Sequence, residues 1–263
     1  MMKRVVLFTL AGLLAMTTPA LAQSAYDGVW KIDLSSAQLP DKPQVWSLED
    51  GIYSCSSCVP AYAIPADGQF HKVEGYSYWD EMSLRIVDDR TIDDAQRLKG
   101  RQVNATRSQV SADGNTLKVT WTDMSTPNGM ASTGEAAMSR VAPGAAGAHA
   151  ISGSWKSEAV ASISENSLIA TMRLADGVFS FESGDGYSFE ATLGGPAVPV
   201  IGDLAGATAS VRQLADGSLE EIDYINGEPT SKIILTPAAD GSILLRSESL
   251  KLGTTVSYKL IRN

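Results

Sequence analysis

The stretch GYSYWDEMSLRIVDDRTIDDAQRLKG, from Gly75 to Gly100, returns as GDLAGATASVRQLADGSLEEIDYING, from Gly202 to Gly227. The step is 127 residues, and it holds for Gly75/Gly202, Ser83/Ser210, Arg85/Arg212, Asp89/Asp216 and Gly100/Gly227. It continues through Asp113, Gly114 and Leu117, which answer to Asp240, Gly241 and Leu244. Upstream the step shortens to 126 for Asp50-Gly51-Ile52-Tyr53-Ser54 against Asp176-Gly177-Val178-Phe179-Ser180, and to 125 for Gly28-Val29-Trp30-Lys31 against Gly153-Ser154-Trp155-Lys156. Matches that keep register through several turn signals mark an internal duplication.

The repeated unit reads as strands. Met82, Leu84 and Ile86 alternate with polar neighbours, as do Leu117, Val119 and Trp121. Between such runs stand Asp88-Asp89-Arg90, Lys99-Gly100 and Ala112-Asp113-Gly114-Asn115, with Asn226-Gly227 and Asp240-Gly241 in the second half. Asn-Gly favours a two-residue hairpin because both central positions need φ > 0. Each half therefore predicts seven to nine short antiparallel strands, and a meander of that size covers its edges by closing into a barrel or a flattened cup. The expected fold is all-β: two tandem meander barrels or half-barrels related by duplication. One sheet shared by both halves is the alternative.

The boundaries follow. Lys3 and Arg4, the apolar run Val5–Met16 and Ala20-Leu21-Ala22 form a cleavable signal peptide over residues 1–22. Residues 23–141 are the first β-meander domain, and 152–263 the second. The intervening 142–151 is a small-residue, nearly uncharged linker in which His149 is expected to be solvated. The leader predicts a periplasmic or extracellular protein, and the mature chain shows no membrane span. The formal charge is −9, and loss of Lys3 and Arg4 takes it to −11. Such a chain repels phosphate backbones, which argues against a nucleic-acid partner. Its 44% hydrophobic content argues against disorder.

Cys55 and Cys58 are the only cysteines, and an oxidising compartment pairs them. Their spacing is that of thiol–disulfide exchange enzymes, but that chemistry needs a stabilised thiolate, commonly at a helix N-terminus. Here a strand pattern precedes the pair and Val59-Pro60 follows, so a bond pinning a hairpin is the expected role. Cys55, Cys58 and His71 lack a fourth ligand for zinc. No metal, cofactor or catalytic residue is expected, and no Gly-x-Ser-x-Gly elbow occurs. The acidic doublets Asp93-Asp94 and Glu220-Glu221 also match at 127. On a strand, one member of each must face inward, where it would meet a ligand cation or an arginine. The expectation favours the alternative, a hairpin end where both carboxylates reach water.

Each half opens with Gly-x-Trp (Gly28, Trp30; Gly153, Trp155) and carries an Arg in its closing strand (Arg140; Arg262). In this the halves resemble the lipocalin and calycin barrels, and the resemblance implies a first-strand Trp packed near a late Arg. It covers only the two ends of each half, and no counterpart of the central Thr-Asp-Tyr motif is present. The chain as a whole resembles secreted bacterial proteins with tandem halves of this kind, which bring no known activity.

The halves differ in what only the first possesses: the Cys pair, Phe70-His71 and the loop Gly75-Tyr76-Ser77-Tyr78-Trp79-Asp80, where the second reads Gly202-Asp203-Leu204-Ala205-Gly206-Ala207. Aromatic residues on a loop give large contact area with a polar handle. The leading expectation is a non-enzymatic binding protein for a small, partly apolar molecule or a protein segment. Tyr53, Tyr62, His71, Tyr76, Tyr78 and Trp79 would line its site in the first half. Inter-half packing is the competing role for this loop. The other functional readings are thiol–disulfide exchange through Cys55 and Cys58, and a structural envelope module with no ligand.

Overall fold

The computed structural model describes residues 24–263, so the leader assigned to residues 1–22 lies outside the described residues. The chain is all-β. Its strands in order are β1 (Gly28–Gln38), β2 (Gln44–Glu49), β3 (Ile52–Cys55), β4 (Tyr62–Pro65), β5 (His71–Lys72), β6 (Glu81–Asp88), β7 (Thr91–Leu98), β8 (Arg101–Val110), β9 (Thr116–Asp123) and β10 (Ser132–Pro143). The second half follows with β11 (Gly153–Ile163), β12 (Ile169–Ala175), β13 (Val178–Ser183), β14 (Ser188–Thr192), β15 (Val198–Pro199), β16 (Thr208–Gln213), β17 (Leu219–Ile225), β18 (Glu228–Pro237), β19 (Ile243–Ser249) and β20 (Thr254–Arg262). Among the described residues no helix is long and apolar enough to cross a membrane.

Two ten-stranded antiparallel sheets result, each nearly closed. One, the first barrel, runs β4-β3-β2-β11-β10-β9-β8-β7-β6-β5. The other, the second barrel, runs β14-β13-β12-β1-β20-β19-β18-β17-β16-β15. Their edges are tied: Asp67 bridges to Arg85 beside β6, and Ser188 bridges to Ile201 across the other seam. Closure leaves no long row of unpaired backbone groups. The two halves do not share one sheet.

The halves do, however, exchange their opening strands. β1 lies between β12 and β20 in the second barrel, and β11 lies between β2 and β10 in the first. The sheet boundary thus differs from the repeat boundary at 142–151: the first barrel is continuous from 44 to 163, and the second combines β1 with 169–262. The expected linker is the loop of the β10–β11 hairpin, and its end at His149–Ile151 is packed against the first barrel. Ile151 is fully buried, the His149 ring donates to the Asp88 carbonyl at 2.6 Å, and its backbone N–H donates to the Leu48 carbonyl at 3.1 Å. His149 is therefore engaged, not simply solvated.

The Gly-x-Trp openings explain why either strand fits. Trp30 and Trp155 are fully buried, and their indole N–H groups donate to the carbonyls of Tyr26 and Ile151, both at 2.8 Å. The Arg262 guanidinium lies 4.6 Å from the Trp30 ring, and that of Arg140 lies 4.0 Å from the Trp155 ring. Each Trp thus stacks on the Arg of the other repeat. A Cβ on Gly28 would stand 2.6 Å from Arg262 Nη1, and one on Gly153 would stand 2.7 Å from Arg140 Nη1. Both glycines also sit at positive φ, 142° and 137°, which L side chains rarely adopt, so glycine suits the backbone there and leaves room for the guanidinium.

Equivalent turns sit at Lys99-Gly100 and Asn226-Gly227, all four residues with φ between 51 and 81°. Register slips at the next hairpin. Ser111 N–H bonds to the Thr116 carbonyl five residues on, whereas Ala238 bonds to Ser242, four on. The shorter loop reverses the facing that follows. Leu117 is fully buried while its expected match Leu244 is 44% exposed, and the structural counterpart of Leu117 is the buried Ile243. Ile86, expected beside Met82 and Leu84 in the core, is exposed just before a bulge that ends β6.

Candidate ligand cavities

The strand pairings align residues in rows that face each lumen. In the first barrel one row runs Leu84–Asp94–Thr106–Trp121–Gly134. In the second, the matching row runs Val211–Glu221–Ile233–Ser247–Val256. Leu84 and Val211 are core residues, so Asp94 and Glu221 point inward with them. Their neighbours point outward. Asp93 accepts from Arg107 Nε at 2.7 Å and Arg85 Nη2 at 2.6 Å, and Glu220 accepts from Arg212 Nε at 2.5 Å. The hydrogen bonds from Arg107, ahead of those from Arg85, hold Asp93 below the usual carboxylate range. The expectation that both members of each doublet reach water is corrected: the period-two facing of a strand overrides the surface preference of Asp and Glu.

The second barrel opens into a cavity of about 420 Å³. Phe181, Phe189, Val200 and Ala207 give it apolar walls, while Glu221, Asp223, Thr230, Ser231 and Ser249 bring polar groups to it. Burial pushes Glu221 well up, and the neighbouring Asp223 carboxylate adds to the shift. Asp223 also moves up, again chiefly by burial, although the Ser231 hydroxyl donates to it at 2.5 Å. Gly75 to Tyr78 form the far rim, contributed by the first barrel. The Tyr78 hydroxyl donates to Asp203 Oδ2 at 3.0 Å, and Asp203 Oδ1 accepts from the backbone N–H groups of Ala205 and Ala207 at 2.8 and 2.9 Å. The tyrosine is thus anchored across the barrel interface. Burial raises its pKa first, and Asp203 adds to it.

The first barrel holds a smaller cavity of about 360 Å³, with Tyr53, Tyr62, Met82, Asp94, Thr106 and Ser108 among its walls. Burial, then the charge on Asp93, lifts Asp94 to about 7. Four aromatic rings pack at this mouth. Tyr62 lies 6.3 Å from Tyr53, 5.8 Å from Tyr76 and 5.6 Å from Trp79, and Tyr76 stacks on Trp79 at 4.2 Å. The Tyr76 hydroxyl donates to the Pro60 carbonyl at 2.5 Å. Gly75, at φ 87°, lets the loop pass Pro60, since a Cβ there would lie 2.7 Å from its Cγ.

The six candidate residues therefore divide. Tyr53 and Tyr62 line the first cavity, and Trp79 packs against that barrel's core. Tyr76 joins this packing and also borders the second cavity, whereas Tyr78 faces the second cavity alone. His71 lines neither and pairs with Asp67 at 2.9 Å. Cys55 and Cys58 form a disulfide with Cα atoms 5.4 Å apart; Cys55 is fully buried, and β4 rather than a helix follows the pair. Asp203, Glu221 and Asp223 were missed as site residues. The matched doublets were the available signal for Glu221, and alternation from Glu221 carries it to Asp223.

No protein-family model, curated protein or solved structure matches this chain.

Proposed function

We propose that the protein is a non-enzymatic binding protein for a small, partly apolar ligand, held in the mouth of the second barrel under the Gly75–Tyr78 loop of the first. The observation that carries this reading is the 420 Å³ cavity, apolar-walled with a few convergent polar groups. Its size falls in the range of about 300–1,000 Å³ usual for small-molecule sites. The location departs from the first-half site anticipated in the sequence: the aromatic loop belongs to the first half, but Tyr78 turns toward the second. Export to the periplasm or beyond and a calycin-like ancestry belong to the same proposal. The leader sequence supports the one, and the two buried Trp–Arg stacks support the other.

Thiol–disulfide exchange has less support, because full burial of Cys55 denies an attacking thiolate its target. The test is native mass spectrometry of full-length protein purified from its own source without detergent. A carried ligand adds mass that denaturation releases, and Ser249→Trp, which fills the second mouth, abolishes it. Wild-type protein that carries nothing, and takes up no member of a panel of small apolar compounds, would overturn the proposal.

A further inference from the structure

The acidic groups at the second cavity are not equally occupied. Asp203 is satisfied by the two backbone N–H groups and the Tyr78 hydroxyl. Asp223 accepts from the Ser231 hydroxyl and is paired with the Glu221 carboxyl. Glu221, on the adjacent inward row and half-buried, faces the cavity beside the Asp223 carboxyl, and no side-chain N–H, hydroxyl or cation is paired with it among the described residues. Among the described residues Lys251 is the one cationic side chain lining the cavity; it is exposed and makes no salt bridge with them. A carboxylate pair walled by Phe181, Phe189 and Val200 is expensive to ionise without a countercharge.

We infer that this cavity takes the ammonium head of a small organic amine, with Glu221 and Asp223 as its anionic partners and the phenylalanine side of the cavity around its apolar body. The inference rests on the proposed reading of the cavity as a ligand site. A metal ion fits less well. Calcium takes six to eight oxygen ligands, whereas Asp203 is already engaged and the opposite walls are apolar. No cluster of metal-holding side chains occurs among the described residues.

The charges balance simply. Without ligand, the close carboxylates retain a proton, as interacting acids do. The singly protonated pair carries one negative charge, which an entering ammonium offsets while Glu221 and Asp223 keep the proton between them. The other titratable groups facing the pair are Asp203, Tyr78, Tyr258 and, at the rim, Tyr76 and Lys251. None of these supplies a nearer cation.

The experiment is calorimetric titration of the full chain with 2-phenylethylamine, 2-phenylethanol and 3-phenylpropionate at about pH 7, in two buffers of different ionisation heat. The amine is expected to bind about tenfold or more tightly than the alcohol, the carboxylate weakest of all, with little net proton exchange. The double variant Glu221→Gln/Asp223→Asn should bring the amine to the alcohol's affinity, whereas Asp94→Asn leaves the amine's preference unchanged. Melting curves check that the variants fold, and the single Glu221→Gln variant serves if the double one does not. Equal binding of alcohol and amine would overturn this inference while leaving the cavity a ligand site. Amine binding that ignores Glu221 and Asp223, or depends on Asp94, would place the amine elsewhere and overturn it too. Failure of all three compounds to bind would also overturn this inference, and the ligand site itself would fall only if the native protein carried no added mass and took up none of the apolar panel.

Discussion

Asp94 and Glu221 stand at the same position of the repeated unit, 127 residues apart, and each faces the lumen of a different barrel. Burial favours the protonated form of each in the folded protein, and among the described residues neither is matched to a basic side chain. For Asp94 the folded pKa is raised from 3.8 to about 7. The stabilisation from its proton is complete below the unfolded value and is lost as pH rises through the folded one. Tyr53 and Tyr62 face it from β3 and β4, and Asp93 precedes it on β7. Wild type should therefore lose about 2–4 kcal/mol relative to Asp94→Asn between about pH 4 and about pH 8. Urea melts of both proteins across that range measure it. Parallel pH profiles would contradict an uncompensated carboxyl at this site.

Strand exchange gives a second expectation. The first barrel is continuous from 44 to 163, so a fragment of residues 40–165 should melt cooperatively. A fragment of 24–141, cut at the repeat boundary, lacks β11 and its buried Trp155 and should not. Circular dichroism melts decide between them, and the reverse outcome would refute the exchange.

Neighbouring aromatics should behave differently. Trp79 stacks on Tyr76 and packs on the first core, so Trp79→Ala should cost about 2–4 kcal/mol of stability. Tyr78 is 46% exposed and contributes one cross-barrel hydrogen bond. Tyr78→Ala should cost about 1 kcal/mol and weaken binding in the second cavity. Thermal melting paired with a binding titration separates the two roles. Equal stability losses would make the whole loop packing.

The disulfide closes a very short loop, so little of its effect comes from restricting the unfolded chain. Replacing both cysteines by serine should cost about 1–3 kcal/mol, partly because Cys55 lies in the core. Wild-type protein should show no turnover in an insulin-reduction assay; turnover lost in Cys55→Ser would restore the exchange reading.

Much of the fold was legible because turns and alternation are local. Asp50-Gly51, Lys99-Gly100 and Asn226-Gly227 take positive φ where the repeat places their turns. The exchange was not legible in composition, because Gly28–Lys31 and Gly153–Lys156 carry the same signal and either strand completes either barrel. The length of the 142–151 loop was the clue: it suits a hairpin, which pairs β10 with β11. Leu244 misled because a one-residue difference in loop length reverses facing. At the site, Tyr78 was visible but its destination was not, since that depends on how two barrels abut. Glu221 was half-visible: strand geometry demanded an inward carboxylate, and the usual exposure of acidic residues argued the other way.

The central claim is that the second barrel, not the first, holds the ligand. Fluorescence titration with N-phenyl-1-naphthylamine, a neutral apolar probe, tests it on wild type, Ser249→Trp and Ala136→Trp. The last fills the first cavity, as Ser249→Trp fills the second. Probe enhancement should survive Ala136→Trp and fall at least about tenfold in affinity with Ser249→Trp. Binding that survives Ser249→Trp and disappears with Ala136→Trp would contradict the account.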